Sequence, residues 1–339
     1  MERGMTSVQE FQELKPEAQD SPRCPLCGSF NVQFWARAKD VEYYTSTEWF
    51  NYFCCGSCDV LFLYPAPLDQ LAQIYPPNYY AYGETGSSFV KRIKSHLDRR
   101  QFRRILRQIP GSELNVLDVG GGTGETLGEV RLADGRVKFT QIVDIDARAE
   151  EVARAAGHQY SRCRIEDFRC NHSFDLILLL NLIEHVQSPI DVLRKVRSML
   201  APGGRILVKT PNFDSIDARL FRHRSWGGYH CPRHWILFTA RSLRRAAEAA
   251  DLHISRIPYT QGAPFWAISV FELLHKSGLL RASHRDPAPY HRVIPVLQVI
   301  FAAIDFARVP FSPTSQMFAE LSISTVMHLG DTRITKVSS

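Results

Sequence analysis

From Leu114 onward, short apolar runs alternate with stretches whose apolar residues recur every three or four positions. That alternation is the pattern of a parallel sheet whose strands are joined by helices. It predicts strands at Asn115–Val119, Thr140–Asp144, Phe174–Leu180, Arg205–Lys209 and Ile254–Pro258, with a weaker one at His158–Arg162. It predicts helices at Ala147–Ala156, Pro189–Leu200 and Ala240–Ala250, and a late strand at Leu321–His328. Upstream, residues 89–109 read as an amphipathic helix with Phe89, Ile93, Leu97, Ile105, Leu106 and Ile109 on its apolar side, closed by Pro110-Gly111. Before the late strand, a segment at about 262–318 carries two apolar helical stretches, Phe265–Leu274 and Val293–Ala307.

The first twenty residues are polar and read as a flexible tail. Residues 21–64 are rich in cysteine and aromatics, with β-like stretches at Trp49–Phe53 and Val60–Tyr64, and residues 65–88 form a Pro/Tyr-rich connector. The expected organisation is therefore a tail (1–20), a small module with its connector (21–88) and a main domain (89–339). The chain has 339 residues, 45% of them apolar and 22% charged, which fits a soluble globular protein and excludes coiled-coil, collagen and disulfide-scaffold classes. No run of 18 apolar residues is present and no apolar signal region leads the chain, so a cytoplasmic setting is expected. There the eight cysteines would be reduced, metal-bound or buried. A net charge of +6 suits an anionic substrate, a nucleic acid or an anionic membrane face, and selects none of them.

Four of the cysteines form two tight pairs, Cys24-Pro-Leu-Cys27 and Cys55-Gly-Ser-Cys58. Two such turns can point four thiolates at one ion, the tetrahedral set that suits structural Zn²⁺. Cys54 offers an alternative ligand in poorer register. A redox role fits less well, because neither pair opens a helix of a thioredoxin-like unit.

The stretch 116–125, VLDVGGGTGE, is a strand running into a glycine turn and then a helix. Such turns bring a ligand close to the backbone. Asp118 lies two residues before the first glycine, and a second acid, Asp144, ends the next strand. Here the sequence resembles the class I S-adenosylmethionine-dependent methyltransferases, over about residues 114–258. The family usually has Cys where this chain has Gly121. The resemblance implies a Rossmann-like seven-stranded sheet, with Gly120, Gly122 and Gly124 lining the cofactor and Asp118 orienting the loop and the methionine amino group. It implies Asp144 as ribose ligand, with Asp146 a weaker candidate. Asp167, or less well Glu166, would meet the adenine amino group, and Asn181 and Leu182 would lie near the sulfonium. The N-terminal half is similar to a bacterial group within this family that carries a Cys₄ knuckle module and often accompanies glycan and secondary-metabolite pathways. The matching residues include Pro65, Pro67, Tyr75, Pro76, Tyr79, Tyr80 and the segment His230-Cys-Pro-Arg233-His234.

The resemblance implies methylation of a small molecule, expected here to be a hydroxyl of a sugar, glycan precursor or secondary metabolite, lipid- or nucleotide-linked forms included. A hydroxyl is a weak nucleophile at neutral pH, so a histidine base is expected, with His185 and His234 as candidates. An orienting or packing role is the plainer reading of either. Arg233 and His230 are candidate substrate ligands, and Arg222, His223 and Arg224 lie close by in sequence. Tyr79, Tyr80 and Tyr82 could close over the cofactor or simply pack the connector. Residues 91–107 hold eight Lys/Arg against one acid, which reads first as a solvated helix face. Val293–Ala307 reads first as a buried substrate lid, with a dimer surface and peripheral membrane contact at the inner face as the other readings. The rival functions are an RNA methyltransferase and a non-catalytic zinc-anchored binding protein. Against RNA stand the missing Asn/Asp-Pro-Pro-aromatic motif and the absence of an RNP-like strand or a dense basic tail.

Overall fold

The computed structural model describes residues 21–77, 79 and 88–323, so the expected tail lies outside the described residues. The chain runs through strands β1 (Val32–Ala38), β2 (Phe50–Cys55) and β3 (Leu61–Leu63), then helices α1 (Leu71–Ile74) and α2 (Ser88–Leu106). Next come β4 (Leu114–Val119), α3 (Glu125–Ala133), β5 (Val137–Asp144), α4 (Ala147–Ala155), β6 (Gln159–Arg162) and β7 (Phe174–Leu180). They are followed by α5 (Pro189–Ser198), β8 (Leu200–Pro211), α6 (Ile216–Leu220), β9 (Ile236–Leu237), α7 (Ala240–Glu248) and β10 (Leu252–Arg256). The last elements are β11 (Tyr259–Thr260), α8 (Ala263–Lys276), α9 (Ile294–Arg308) and β12 (Gln316–Ile323).

The main sheet has the order β10-β12-β8-β7-β4-β5-β6, with the two-residue β11 paired to β12 off this path. Strands β6, β5, β4, β7 and β8 are parallel, and β12 runs antiparallel to both β8 and β10. The central strands are apolar on both faces, because both are covered by helices. Phe102, Ile105, Leu106, Leu127, Val130, Ala149 and Ala153 from α2, α3 and α4 cover one face. Val192, Leu193, Val196, Leu243, Ala246 and Ala247 from α5 and α7 cover the other. All five parallel strands leave the sheet at the same edge, so the segments after β4, β5 and β7 meet there.

The late strand begins at Gln316, not at Leu321, and residues 324–328 of the expected strand lie outside the described residues. Its position is set by pairing with β8, from Gln316 opposite Pro211 to Leu321 opposite Ile206. The polar Gln316 and Glu320 disguise it as non-strand. Glu320 is buried because it pairs with Arg104 and with Arg256 at 3.6 Å. In α2, Leu97 is exposed and Phe102 takes a place on the buried side, while the side chains of Phe89 and Ile93 lie outside the described residues. The arginines of α2 mostly serve the fold. Arg99 pairs with Glu129 at 2.5 Å, Arg103 donates to the Ala133 carbonyl at 3.2 Å, and Arg104 pairs with Glu320.

A second sheet has the order β1-β2-β3-β9. Its fourth strand comes from the other side of the main sheet in sequence, with Leu61 opposite Leu237 and Phe62 opposite Ile236. The cysteine module and residues 226–238 are thus one packed unit. Trp35 Nε1 donates to the Tyr229 hydroxyl at 3.0 Å, and the Tyr52 hydroxyl donates to the carbonyls of Tyr229 and His234 at 3.2 Å. Helices α8 and α9 form a hairpin in which Trp266 and Phe301 stack at 5.0 Å. Contrary to a buried lid, α9 buries only Ile294 and Asp305 and turns Val296, Val299, Ile300, Ile304 and Phe306 outward. Among the described residues no helix is long and apolar enough to cross a membrane.

Candidate active site

The glycine turn after β4 carries positive φ at Gly120 (75°), Gly122 (51°) and Gly124 (85°), a region L side chains rarely enter. Its shape is held by backbone bonds from Gly120 N–H to the Val143 carbonyl at 2.8 Å and from Gly124 N–H to the Gly121 carbonyl at 3.0 Å. A Cβ at Gly124 would lie 2.6 Å from the His158 ring, whereas one at Gly122 would meet nothing within 4 Å among the described residues. The turn is therefore packed on one side and open on the other, the shape of a cradle for a bound molecule. At Gly121 a Cβ would sit 2.8 Å from the Asp118 carboxyl, so the buried acid occupies the space.

Asp144 closes the cradle from the end of β5. Its Oδ2 accepts from Gly122 N–H at 2.9 Å and its Oδ1 from Asp146 N–H at 3.0 Å. Two amides fix the carboxylate and leave further lone pairs for a diol. Asp146 is otherwise engaged, capping α4 and accepting from Arg148, which favours Asp144 as the ribose ligand. Ile145 between them is 67% exposed and presents an apolar surface at this rim, a feature the sequence reading missed. Asp167 is exposed, with its backbone N–H bonded to the Arg164 carbonyl at 3.1 Å. Asp118 lies beneath the turn, and burial, with Asp144 nearby, pushes its carboxyl up to about 8. A buried acid, a cradle of open amides and a fixed carboxylate at the strand ends fit S-adenosylmethionine. Asp118 would meet its amino group, Asp144 its ribose and Asp167 its adenine.

The turn after β7 brings the second half of the site. Asn181 has φ of 55° and its Oδ1 accepts from Gln316 Nε2 at 3.0 Å, a tie to β12 that the sequence did not reveal. The Leu182 side chain faces the glycine turn, 3.1 Å from where a Gly120 Cβ would be. Then comes Glu184, fully buried, whose Oε2 accepts from Thr210 Oγ1 at 2.9 Å and whose Oε1 has no hydrogen-bond partner among the described residues. Burial pushes its carboxyl up to about 8. His185 is half-buried, and desolvation together with His230 pulls its imidazole down to about 3. Its Nδ1 lies 3.0 Å from both the Arg233 carbonyl and the Tyr75 hydroxyl. His234 is buried, and desolvation with His185 and His230 moves it well below the usual imidazole range. Its Nδ1 lies 2.8 Å from the Gly228 carbonyl. The rings of His185 and His234 are 4.7 Å apart, and those of His230 and His234 4.9 Å apart. The structure thus gathers both candidate bases, and a buried acid not singled out in the sequence, into one cluster.

The two expected substrate ligands are tied into the fold. Arg233 is wholly buried. Its Nη2 pairs with Asp40 Oδ2 at 2.8 Å, its Nε donates to the Ile74 carbonyl at 2.7 Å and its Nη1 to the Cys231 carbonyl at 3.2 Å. Burial alone would raise the Asp40 carboxyl, but the guanidinium holds it at about 2. His230 Nδ1 contacts Glu42 Oε1 at 2.7 Å and its Nε2 the Tyr79 hydroxyl at 2.8 Å. Both residues therefore brace the cluster from behind instead of offering free donors to a substrate anion. Arg222 stacks 3.8 Å over the Trp35 ring, while His223 and Arg224 are exposed. Tyr80 and Tyr82 lie outside the described residues.

In the N-terminal module, the sulfurs of Cys24, Cys27, Cys55 and Cys58 all lie within 4.8 Å of one another. Cys24 to Cys58 and Cys27 to Cys55 are each 3.6 Å. Four thiolates around Zn²⁺ stand about 3.8 Å apart, so the donor set fits that ion with no coordination position left over. Cys54 stays outside the group.

Residues 91–256 match the family model described as a methyltransferase domain. With the strand order and the cradle, that stretch, just under half of the chain, is a methyltransferase domain similar to those of the class I S-adenosylmethionine-dependent family. The chain is 31% identical over 143 residues to the ubiquinone biosynthesis O-methyltransferase of Parvibaculum lavamentivorans, covering 39% of this chain and 52% of that protein. It is 33% identical over 111 residues to the tRNA 5-carboxymethoxyuridine methyltransferase of Escherichia coli, covering 30% and 41%. It spans about half the length of the curated relatives it matches. Among solved structures, coclaurine N-methyltransferase bound to N-methylheliamine and SAH aligns with a TM-score of 0.46 at 12% identity, over 71% of this chain and 75% of that one.

Proposed function

We propose that the chain methylates a hydroxyl of a small molecule, a sugar, glycan precursor or secondary metabolite, with S-adenosylmethionine as donor. The observation that carries this reading is the imidazole cluster on the turn after β7, the turn whose Leu182 side chain faces the glycine turn. Each of His185 and His234 has its Nδ1 at a backbone carbonyl, which leaves both Nε2 lone pairs for an acceptor. When bound, S-adenosylmethionine supplies a methyl carbon activated by a sulfonium. An acceptor oxygen would displace the sulfur at that carbon, and its hydroxyl proton would pass to His185 or His234. Burial keeps both imidazoles neutral but makes them weak bases, so the proton would move together with the methyl and not ahead of it. Structural Zn²⁺ in the Cys₄ site holds the module that supplies Asp40 and Glu42 behind the cluster. An acceptor carried on a lipid would bring the outward apolar face of α9 to a membrane surface, and self-association would use the same face.

The test is a methyl-transfer screen over hydroxylated acceptors with parallel titration of S-adenosylhomocysteine. His185→Ala or His234→Ala should retain cofactor affinity and lose roughly 10²–10⁴-fold in turnover. Unchanged turnover in both variants would remove the cluster from the chemistry. The similarity to a tRNA methyltransferase supports a second reading, RNA methylation, with the exposed Arg92 and Arg100 of α2 and Arg107 just after it as phosphate contacts. Retention on RNA with a steep salt dependence would favour it. A folded protein that binds no S-adenosylhomocysteine would leave a non-catalytic binding role.

A further inference from the structure

The cluster brings three side chains with metal-ligating atoms close together. A ring nitrogen of His185, a ring nitrogen of His234 and a carboxylate oxygen of Glu184 all lie within 4.8 Å of one another. His234 Nε2 is 3.9 Å from Glu184 Oε1, too far for a hydrogen bond. That oxygen is fully buried and has no hydrogen-bond partner among the described residues. A backbone carbonyl only accepts, so the Nδ1 of each histidine carries the ring proton, held by Gly228 in one case and Arg233 in the other. Each imidazole must then turn its Nε2 lone pair outward. Once Glu184 gives up its proton, the three groups face one another as acceptors and repel unless a cation sits among them. Histidines whose other nitrogen donates to a carbonyl, and a carboxylate whose second oxygen accepts a hydroxyl, are how metal ligands are oriented by their surroundings. Here the Thr210 hydroxyl plays that last part for Glu184.

We propose that Glu184, His185 and His234 bind a divalent first-row transition ion, with Zn²⁺ as the reference ion, at a site separate from the four cysteines. Two imidazoles and one carboxylate leave coordination positions for an outside oxygen, unlike the closed Cys₄ set. In chemical terms the proposal rests on the hydroxyl-methylation reading. The ion would take the acceptor oxygen as a ligand and lower its pKa, so that the hydroxyl proton would pass to solvent water before methyl transfer, in place of direct transfer to an imidazole.

Metal content tests the site without reference to turnover. The full-length protein is stripped with chelator, reloaded with Zn²⁺, desalted and counted by elemental mass spectrometry. His234→Ala and His185→Ala should each hold one equivalent less than the parent chain while still binding S-adenosylhomocysteine. In the Co²⁺-loaded protein the same substitutions should remove one set of d–d bands and leave the thiolate charge-transfer bands in place. Equal metal counts and identical Co²⁺ spectra in the parent chain and the variants would overturn the proposal. Should His234→Ala fail to fold, the half-buried His185→Ala and the near-isosteric Glu184→Gln carry the comparison. A parent Co²⁺ spectrum holding only thiolate-type bands would be equally fatal. The assays separate the two claims. A lost equivalent with no hydroxyl acceptor ever methylated retains the ion and removes the reaction, and methylation with equal counts does the reverse.

Discussion

Cofactor binding should be tied to one proton on Asp118. In the empty site burial and the nearby Asp144 hold that carboxyl at about 8. A cofactor ammonium beside it favours the charged form, so binding below pH 8 must expel a proton. At pH 8 about half the sites are already ionised, and at pH 6 about 1% are, so affinity for S-adenosylhomocysteine should fall by up to about fifty-fold between them. Isothermal titration in buffers of different ionisation enthalpy measures both the affinity and the proton count, which should approach one released per cofactor at pH 6. Asp118→Asn should bind weakly at both values and release none. The empty protein offers a check of sign. Its folded-state value lies above the unfolded one, so the Asp118 contribution to stability is fullest below about 4 and is lost as pH rises through about 8. The thermal midpoint of the empty protein should therefore decline over that window, other groups being held equal by comparison with Asp118→Asn. An affinity flat from pH 6 to 8 with no proton release would refute the reasoning.

Three further outcomes follow from the geometry. Asp40→Ala strands the Arg233 guanidinium in the interior and should cost about 3–5 kcal/mol, a thermal midpoint roughly ten degrees lower. The same pair predicts loss of stability on acidification only as pH falls from about 4 through about 2. Gly124→Ala combines φ of 85° with a Cβ 2.6 Å from His158 and should abolish cofactor binding, whereas Gly122→Ala meets no atom and should cost only the backbone term of about 1–2 kcal/mol. Paired titrations of the two variants check this, and equal effects would contradict it. Cys24→Ser should lower the zinc count by one equivalent and destabilise the N-terminal sheet, read by elemental analysis and thermal unfolding.

The sheet could be read from the sequence because each parallel strand is a dense apolar run and each connection has helical spacing. The cradle could be read because three glycines and two acids sit within thirty residues along the chain. The late strand escaped because its buried Glu320 is neutralised by Arg104 and Arg256, from distant elements. Arg233 looked like a surface cation for the same reason. Its partner Asp40 is 193 residues away and no local pattern announces the pair. Glu184 could not be recognised as a ligand candidate, since its significance lies in an oxygen left without a partner, which only packing defines. The two-residue β9 carries no period at all, and only β3 gives it a place.

That borrowed strand bears on how the molecule is made. During synthesis Leu61 leaves the ribosome well before its partner Leu237, and at about 5–20 residues per second the wait is on the order of ten to thirty-five seconds. Over that interval the edge of β3 and the pocket for Arg233 stand open, and the cysteine module is held by its own thiols and any ion they have captured. The nascent N-terminus is thus exposed to edge-to-edge pairing with neighbouring chains until the polypeptide has passed residue 237. Expression yield should therefore respond to zinc supply and to chaperone capacity during translation, even for a protein that is stable once complete.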